Sequence, residues 1–385
     1  MSAISQCNAT FNEIAAALGK FTCTDAPAVI HIRNPFTLSS PTMPVLELMM
    51  VGGAALALWW AVRRLRRDND PTNLVLWFSS IVYLLVTEIP LYFPNIFGVE
   101  DQLGVVFDHN VFTVQFMYDR LPLYIVALYP AVTTLAFEIV RVLGVFGALG
   151  TRAILVGSVC VGFVHHCCYE IFDQLGPQLR WWAWNAQNPL NHPMFASVPM
   201  TSVVIFATLG PAVLTLLVML LVGRRVESGG RLSATSLLWR TVVAGALVPI
   251  GVAILSIPSS LFGGKHPNTV AECVVFVLEL AVFAVVAVPV LIKAWRHGET
   301  GHQPSGFVRI FGPVYLIVLG SLWLTALPDY FSAKGGITRD GTPTGNVAYA
   351  ALCFAMATLW IILASTVKAP RSAREIPKPD SRQPA

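Results

Sequence analysis

The sequence contains a series of strongly apolar runs, each about 20 residues long, the length that carries an α-helix across roughly 30 Å of hydrocarbon. The runs do not alternate polar and apolar residues as the strands of a membrane β-barrel do. Apolar residues make up 55% of the 385-residue chain and charged residues only 12%, which is more hydrocarbon than one soluble core can bury. The sequence therefore predicts an all-α fold, a polytopic bundle of transmembrane helices.

Reading the apolar runs between turn signals predicts nine spans. They lie at residues 44–62, 73–92, 121–142, 152–173, 200–222, 237–257, 269–292, 307–327 and 346–367. The first run begins near Pro44 and is followed by four arginines, so we expect it to remain as an anchor and not to be cleaved as a signal peptide. The boundaries divide the chain into an N-terminal segment at 1–43, a transmembrane helical domain at 44–367 and a tail at 368–385. The tail is rich in proline and charge and is expected to be disordered.

The basic residues indicate how the spans are oriented. With the N-terminus outside and the C-terminus in the cytoplasm, 18 of the 25 lysines and arginines fall on cytoplasmic segments. The other seven are Lys20, Arg33, Arg120, Arg180, Lys265, Lys334 and Arg339. This asymmetry follows the positive-inside rule, so segment 1–43 is predicted to be extracytoplasmic and the tail cytoplasmic. Because the positive charge follows the loops and forms no single patch, nucleic-acid binding has little support.

The cysteines and the arginine content bear on the compartment. Cys7 and Cys23 share the outer N-terminal segment, where they can form a disulfide or remain free thiols. The other five cysteines lie in apolar runs and are expected to pack as small hydrophobic residues. No CxxC pair occurs, so no metal site is predicted, and the sequence does not identify a cofactor. The 19 arginines against six lysines fit a GC-rich bacterial genome, so we expect a bacterial cell membrane.

Ionisable residues inside the spans are costly, at roughly 2.5–3.5 kcal/mol each, and therefore need a partner or a function. Glu47 and Glu88 fall near the outer ends of the first two spans. In the fourth span, His166, Glu170 and Asp173 follow the i, i+4, i+7 spacing of one helix face.

The seventh span has the same seven-residue spacing between Glu272 and Glu279. We expect His166, Glu170, Glu272 and Glu279 to face one interior cavity in the outer half of the bundle. Such a group can bind a divalent metal, relay protons or supply a general acid. The simpler alternative is that these side chains hydrogen-bond within the bundle and fix its packing.

The loop after the fourth span is rich in tryptophan. Trp181, Trp182 and Trp184 are typical of side chains that anchor a protein at the membrane interface. The alternative is an aromatic lining for a flat apolar or cationic substrate. His109 and His192, in the outer loops, are expected to be ordinary surface histidines. At the other ends of the spans, Glu138 and Arg141 are three residues apart and predict a local, structural ion pair.

One stretch of about 45 residues resembles a known family. Glu170 on a helix is followed by Trp182-x-Trp184, a proline-rich turn and another apolar helix from Pro199. This arrangement resembles the multi-span carotenoid hydratase-type membrane enzymes. The resemblance implies addition of water to a polyisoprenoid double bond and a role for Glu170, Trp182 and Trp184, although this chain has extra segments and lacks a full family motif.

Three functions remain open from the sequence. The first is a membrane enzyme that performs acid-base chemistry, such as hydration, on a lipid or isoprenoid. Its predicted catalytic residues are Glu170, His166, Asp173 and Glu279, and its predicted substrate-binding residues are Glu272, Trp182, Trp184, Glu47 and Glu88. The second is a proton-coupled small-molecule permease that uses the same acids, and the third is a non-catalytic membrane scaffold. The expected partners are membrane lipid and an apolar or isoprenoid substrate.

The charge asymmetry gives a first test. In a chain without native cysteines, a cysteine at Lys334 or Lys265 should react with a membrane-impermeant thiol reagent in intact cells, whereas one at Arg225 should react only after lysis. Labelling of position 225 from outside the cell would overturn the predicted orientation.

Overall fold

The structure, a computed structural model, describes residues 8–19, 26–147, 150–264, 266–297 and 305–367. Within these ranges, nine helices are long and apolar enough to cross a membrane, which confirms the predicted all-α bundle. The side of the membrane on which each end lies stays a prediction. Cys7, Cys23, Lys265 and the tail at 368–385 lie outside the described residues.

The helix bounds follow the predicted spans closely. In chain order the helices are α1 (Ala9–Gly19), α2 (Thr42–Asp68), α3 (Thr72–Tyr92), α4 (Glu100–Leu103), α5 (Leu123–Val142), α6 (Thr151–Asp173), α7 (Ser202–Glu227), α8 (Ala234–Leu255), α9 (Ile257–Ser260), α10 (Thr269–His297), α11 (Gly306–Ser332) and α12 (Val347–Thr366). Helices α2 and α10 run past their predicted ends because a charged last turn continues the helix beyond the apolar run on which the prediction rested.

Successive spanning helices run in opposite directions and give the bundle two distinct ends. We call the end that carries segments 93–122 and 174–201 the loop face, and the opposite end, which carries most of the arginines, the arginine face. On the loop face, Trp181 donates its indole N–H to Thr42 Oγ1 at 3.1 Å. On the arginine face, Trp295 donates to Thr366 Oγ1 at 3.3 Å and so ties the end of α10 to the end of α12.

Seven short strands, which the apolar pattern did not predict, organise the loop face. They are β1 (Ile30–Ile32), β2 (Phe107–His109), β3 (Val114–Phe116), β4 (Leu121–Pro122), β5 (Trp182–Trp184), β6 (Met194–Phe195) and β7 (Val198–Pro199), and they form three small antiparallel sheets. In the β2 and β5 pair, Phe107 lies opposite Trp184, and His109 lies opposite Trp182. Because alternate residues of a strand share a face, these four side chains lie on the same side of the sheet.

The spanning helices differ greatly in how deeply they are buried. Within the most apolar window of each helix, 89% of the residues of α5 and 72% of those of α6 are buried, against 17% for α10. Helix α7 is also 72% buried, so α5, α6 and α7 form the centre of the bundle, and α10 lies at its edge with most of its apolar side chains facing outward. In a membrane that outward surface meets lipid.

A buried carboxylate joins three helices near the arginine face. Glu138 on α5 accepts hydrogen bonds from Trp60 Nε1 of α2 and from Asn73 Nδ2 of α3, both at 2.9 Å. Arg141, one turn further along α5, donates to both of its oxygens at 2.8 and 3.0 Å. The predicted ion pair between Glu138 and Arg141 is therefore confirmed, and it is part of a larger network that positions α2 and α3 against the central helix.

We expect Glu138→Ala to lower the free energy of unfolding in detergent by about 3–5 kcal/mol, because it leaves the buried Arg141 guanidinium without its counter-ion. Glu100→Ala, at an exposed acidic residue of the short helix α4, serves as the control and should change stability little. Equal losses in the two variants would contradict the role assigned to Glu138.

Candidate functional site

His166 lies at the contact between three helices. Its Nε2 is 2.6 Å from the hydroxyl of Tyr349 on α12, and its Nδ1 is 2.9 Å from Thr208 Oγ1 and 3.2 Å from the carbonyl oxygen of Val203, both on α7. A carbonyl oxygen only accepts, so this contact favours the tautomer with the proton on Nδ1. Tyr349 then donates its O–H to Nε2, and His166 is held in one orientation.

The local geometry of α7 supplies these acceptors. Residues Ser202–Leu209 form a π-helical segment, in which the wider turn changes how the backbone carbonyls are paired. His165, beside His166 on α6, is 2.8 Å through Nδ1 from the carbonyl oxygen of Ala207 in the same segment. Two consecutive histidines of α6 are therefore fixed against irregular backbone, an arrangement that often accompanies functional sites.

Glu170 lies one turn from His166 toward the loop face and is completely buried. Its Oε2 accepts a hydrogen bond from Gln174 Nε2 at 3.0 Å, whereas its Oε1 has no hydrogen-bond partner among the described residues. Gln174 Oε1 in turn accepts from the backbone N–H of Asn346 at 2.8 Å. Asn346 caps α12 by accepting from the backbone N–H of Tyr349. Glu170 and His166 are thus joined through the start of α12.

Gly345 makes this connection possible. A Cβ atom at Gly345 would lie 1.9 Å from the carbonyl oxygen of Gln174, so only glycine allows the loop before α12 to approach the end of α6 this closely. The close approach positions both Asn346 and Tyr349.

An apolar cavity of about 570 Å³ lies beside this network, between α10 and α12. His166, Cys167 and Tyr349 line it together with the aromatic rings of Phe195 and Phe283. At its mouth, Val277 of α10 and Leu352 of α12 are more than half exposed on the outer surface of the bundle, so in a membrane the cavity opens toward lipid.

The cavity ends inside the bundle. The residues of α10 and α12 that line it closest to the arginine face are Val288 and Met356. At about 1.5 Å per residue, these positions lie about 14 and 15 Å short of the ends of their helices. Beyond them, the hydrogen bond between Trp295 and Thr366 holds α10 and α12 together.

A second, smaller cavity, which includes two carboxyl side chains in its lining, lies on another side of α6. We call it the chamber, and its volume is about 30 Å³. Glu88 and Asp173 line it, as do Trp182, Trp184 and His109. The chamber therefore combines residues of α3 and α6 with the aromatic face of the β2 and β5 sheet.

The histidine of the chamber is held neutral. The His109 ring nitrogens are 3.1 Å from the hydroxyl of Tyr92 and 3.0 Å from that of Tyr124. Burial lowers the pKa of His109 to about 3, so the imidazole carries no charge at neutral pH. Burial also raises the pKa of the neighbouring Asp108 well above its usual range, although the positive charge of Arg120 acts in the opposite direction.

The predicted site residues do not converge on one cavity, so the expectation of a shared cavity is wrong. Of His166, Glu170, Glu272 and Glu279, only His166 is among the residues that line the apolar cavity. The carboxylate of Glu272 instead packs against the loop at Gly263. The cause is helical phase: the cavity is lined by Cys273, Val277 and the next turns of α10, on a different side of that helix from the two glutamates.

The remaining predicted acids lie in three different environments. Glu47 accepts hydrogen bonds from the backbone N–H groups of Thr113 and Val114 at 3.0 and 3.1 Å, which favours a structural role for it. Glu88 and Asp173 both line the chamber. The two carboxylate oxygens of Glu279 are buried and have no hydrogen-bond partner among the described residues, and we have no physical account of them.

Sequence reasoning misplaced His109 and did not find Tyr349. His109 was expected at the surface but is buried, because strand β2 folds under the loop face. Trp181 and Trp182 are also buried, so the interpretation of these two as interfacial anchors is wrong. Tyr349 lies within an apolar run, where nothing in the sequence distinguishes it. Only its partner His166 stands out, because it is an ionisable residue in an apolar span.

The described residues contain no group of three or more His, Cys, Asp or Glu side chains placed to hold a metal ion. Comparisons with protein-family models, with curated proteins and with solved structures find no match for this chain.

We expect Gly345→Ala to destabilise the fold by about 1–3 kcal/mol, because the new methyl group must displace the end of α6 from the start of α12. Gly320→Ala is the control, since a Cβ there meets Phe354 at an ordinary 3.4 Å. Thermal unfolding in detergent measures the difference. An unchanged Gly345→Ala variant would mean that the close approach is not required.

Proposed function

We propose that this multi-pass membrane protein is an enzyme that performs acid-base chemistry on an apolar lipid or isoprenoid chain, with Glu170 as the general acid. The observation that carries the proposal is the blind apolar cavity, open toward lipid, whose wall holds the fixed pair of His166 and Tyr349 one helical turn from Glu170. A substrate dissolved in the bilayer can enter such a cavity between α10 and α12 without crossing water.

Glu170 has the features that a proton donor in this position needs. One of its oxygens is held by Gln174, and the other is free of partners among the described residues. Complete burial disfavours the charged form of a carboxyl group, and a protonated carboxyl can serve as a general acid. His166 and Tyr349 present a polar edge in an otherwise apolar wall, and they would orient the substrate without carrying net charge.

Hydration of a carbon–carbon double bond is the reaction that this arrangement supports best. Glu170 does not itself line the cavity, so its side chain would turn toward the wall at His166 to give its proton to one alkene carbon and leave positive charge on the other. The oxygen of a water molecule would bond to that second carbon, and the excess proton of the bound water would return to the Glu170 carboxylate. One water molecule is consumed and the acid is regenerated. The faces of Phe195 and Phe283 in the cavity wall would stabilise the cationic intermediate.

The shape of the cavity favours an enzyme over a permease. A transporter needs a route that can open to both sides of the membrane, and its site is often formed by interrupted helices near the midplane. The lining of the apolar cavity instead stops about 14 Å short of the arginine face, measured along α10. A passive scaffold, in turn, gives no reason to maintain a cavity of about 570 Å³ beside a buried acid.

The test compares lipid extracts from cells that produce the protein or its variants in a strain with the gene deleted. We expect Glu170→Gln to abolish product formation while membrane abundance stays normal, because the amide keeps the shape and cannot donate the required proton. Asp329→Asn, the same change at an exposed residue near the loop-face end of α11, is the matched control.

Two results would contradict the proposal. A normal product profile in well-expressed Glu170→Gln would remove Glu170 as the acid. Identical lipid profiles in the deletion strain and its parent would remove the enzymatic function itself.

A further inference from the structure

The chamber contains more hydrogen-bonding groups than its own residues satisfy. Asp173 Oδ2 accepts from Ser202 at 2.7 Å, and Glu88 Oε1 accepts from Tyr129 at 2.6 Å. The second oxygen of each carboxyl group, Asp173 Oδ1 and Glu88 Oε2, is buried without a hydrogen-bond partner among the described residues, although the Tyr92 hydroxyl lies close to Glu88.

The tryptophans of the chamber have hydrogen-bond donors that lack acceptors. Trp182 and Trp184 both line it, and the indole N–H of each is buried without an acceptor within the described part of the chain. A buried polar group that lacks a partner is costly, so four such groups on residues that line one small space require an explanation. Together they present two acceptors and two donors.

Water is the ligand that fits this set of groups. A water molecule donates two hydrogen bonds and accepts two, which matches two carboxyl oxygens and two indole N–H groups. A cavity needs about 10–15 Å³ to hold one water, so the chamber, at about 30 Å³, has room for about two. A bound cation would satisfy only the oxygens and would face the positive ends of both indole N–H dipoles.

An aromatic pair, Trp184 and Phe107, lies between the chamber and the surface of the loop face. Trp184 lines both the chamber and a broad open cleft formed by α1, α4 and residues 183–190. Its cross-strand partner Phe107 lines both the chamber and a small cavity beneath Phe11 of α1. The two rings meet edge to face with their centroids 5.2 Å apart. Each of the two rings therefore has the chamber on one side and a space nearer the loop-face surface on the other.

Asp173 connects the chamber to Glu170. The two residues are three positions apart on α6, which places their side chains about 60° apart around the helix axis and about 4.5 Å apart along it. Asp173 faces the chamber, whereas Glu170 contacts Gln174 and the start of α12. The two residues are thus near neighbours on adjoining sides of α6.

We propose that the chamber is an internal water site, filled from the loop face past Phe107 and Trp184, and that it supplies the water consumed at Glu170. The water site itself stands on the geometry of the chamber alone. Its role as the source of a co-substrate rests on the proposed hydration. In that role the membrane supplies the hydrocarbon to one side of α6, and the aqueous phase supplies water to another.

Radiolytic footprinting of the purified, full-length protein tests the water site without any substrate. X-rays split bound water into hydroxyl radicals, which oxidise the side chains next to that water even when they are buried. Trp182 should be oxidised about tenfold or more faster than Trp181, because only Trp182 lines a cavity large enough for water. Trp181 is the matched internal control, since it precedes Trp182 directly and is equally buried.

Two variants make the result specific to the chamber. Asp173→Leu removes a carboxyl group at similar volume, and Ile125→Phe fills the chamber from α5; each should reduce oxidation of Trp182 to the rate of Trp181. Ile125→Leu keeps the volume and should leave the rate unchanged. If Asp173→Leu fails to fold, the two variants at Ile125 still decide the question. Equal oxidation of Trp181 and Trp182 in the unmodified protein would overturn the water site.

The role in the reaction is tested separately, by the lipid products of Ile125→Phe. Strong oxidation of Trp182 in the unmodified protein together with full product formation by Ile125→Phe would keep the water site and overturn its role as the supply. Loss of product in Ile125→Phe but not in Ile125→Leu, at equal membrane abundance, is the expected result. The absence of any product from the unmodified protein contradicts the proposed function and leaves the footprinting result standing.

Discussion

The carboxylate of Glu138 is the interaction on which the arrangement of the central helices depends. It is completely buried, and it accepts four hydrogen bonds from side chains of α2, α3 and α5. A buried charge is tolerated only when its partners are in place, so this network specifies one way of packing the three helices. Helix α6 packs against α5, and the apolar cavity and the chamber are both built on α6. The position of Glu170 thus follows from a network near the opposite end of the bundle.

The spans could be predicted from the sequence because the physics is simple. Length and apolarity decide whether a helix crosses a bilayer, and both can be read along the chain. The same reading found His166, Glu170 and Asp173, because ionisable residues stand out in an apolar run. It failed for His109, since strand β2 has only three residues and pairs with a strand more than 70 positions away. It also failed for the side of α10 that faces the cavity, because most of that helix is apolar on every side.

Helix α6 separates two chemically different spaces, and its sequence encodes both. His166 and Cys167 face the apolar cavity, and Tyr169 and Asp173 face the chamber. A helix with ionisable groups on two sides cannot face lipid, and α6 is accordingly one of the most buried helices of the bundle. The weakly buried α10 differs from α6. It contributes apolar side chains to the cavity and almost nothing to the hydrogen bonds around His166 and Glu170. The division between the inner and outer helices is thus also a division between helices that carry buried polar groups and helices that contribute apolar surface.

The closed end of the apolar cavity has a consequence for selectivity. Along α10 the lining extends from Cys273 to Val288, a distance of about 22 Å at 1.5 Å per residue. A linear hydrocarbon can enter only until its tip reaches the closed end. The closed end therefore fixes where each carbon of the hydrocarbon lies along the cavity. The bond that comes to rest beside His166 and Tyr349, the part of the wall nearest Glu170, is then set by how many carbons fit below it. Under the proposed function, the depth of the cavity would decide which bond of the substrate reacts. A larger side chain at Val288 or Met356 would shift the reaction to a different carbon of the hydrocarbon.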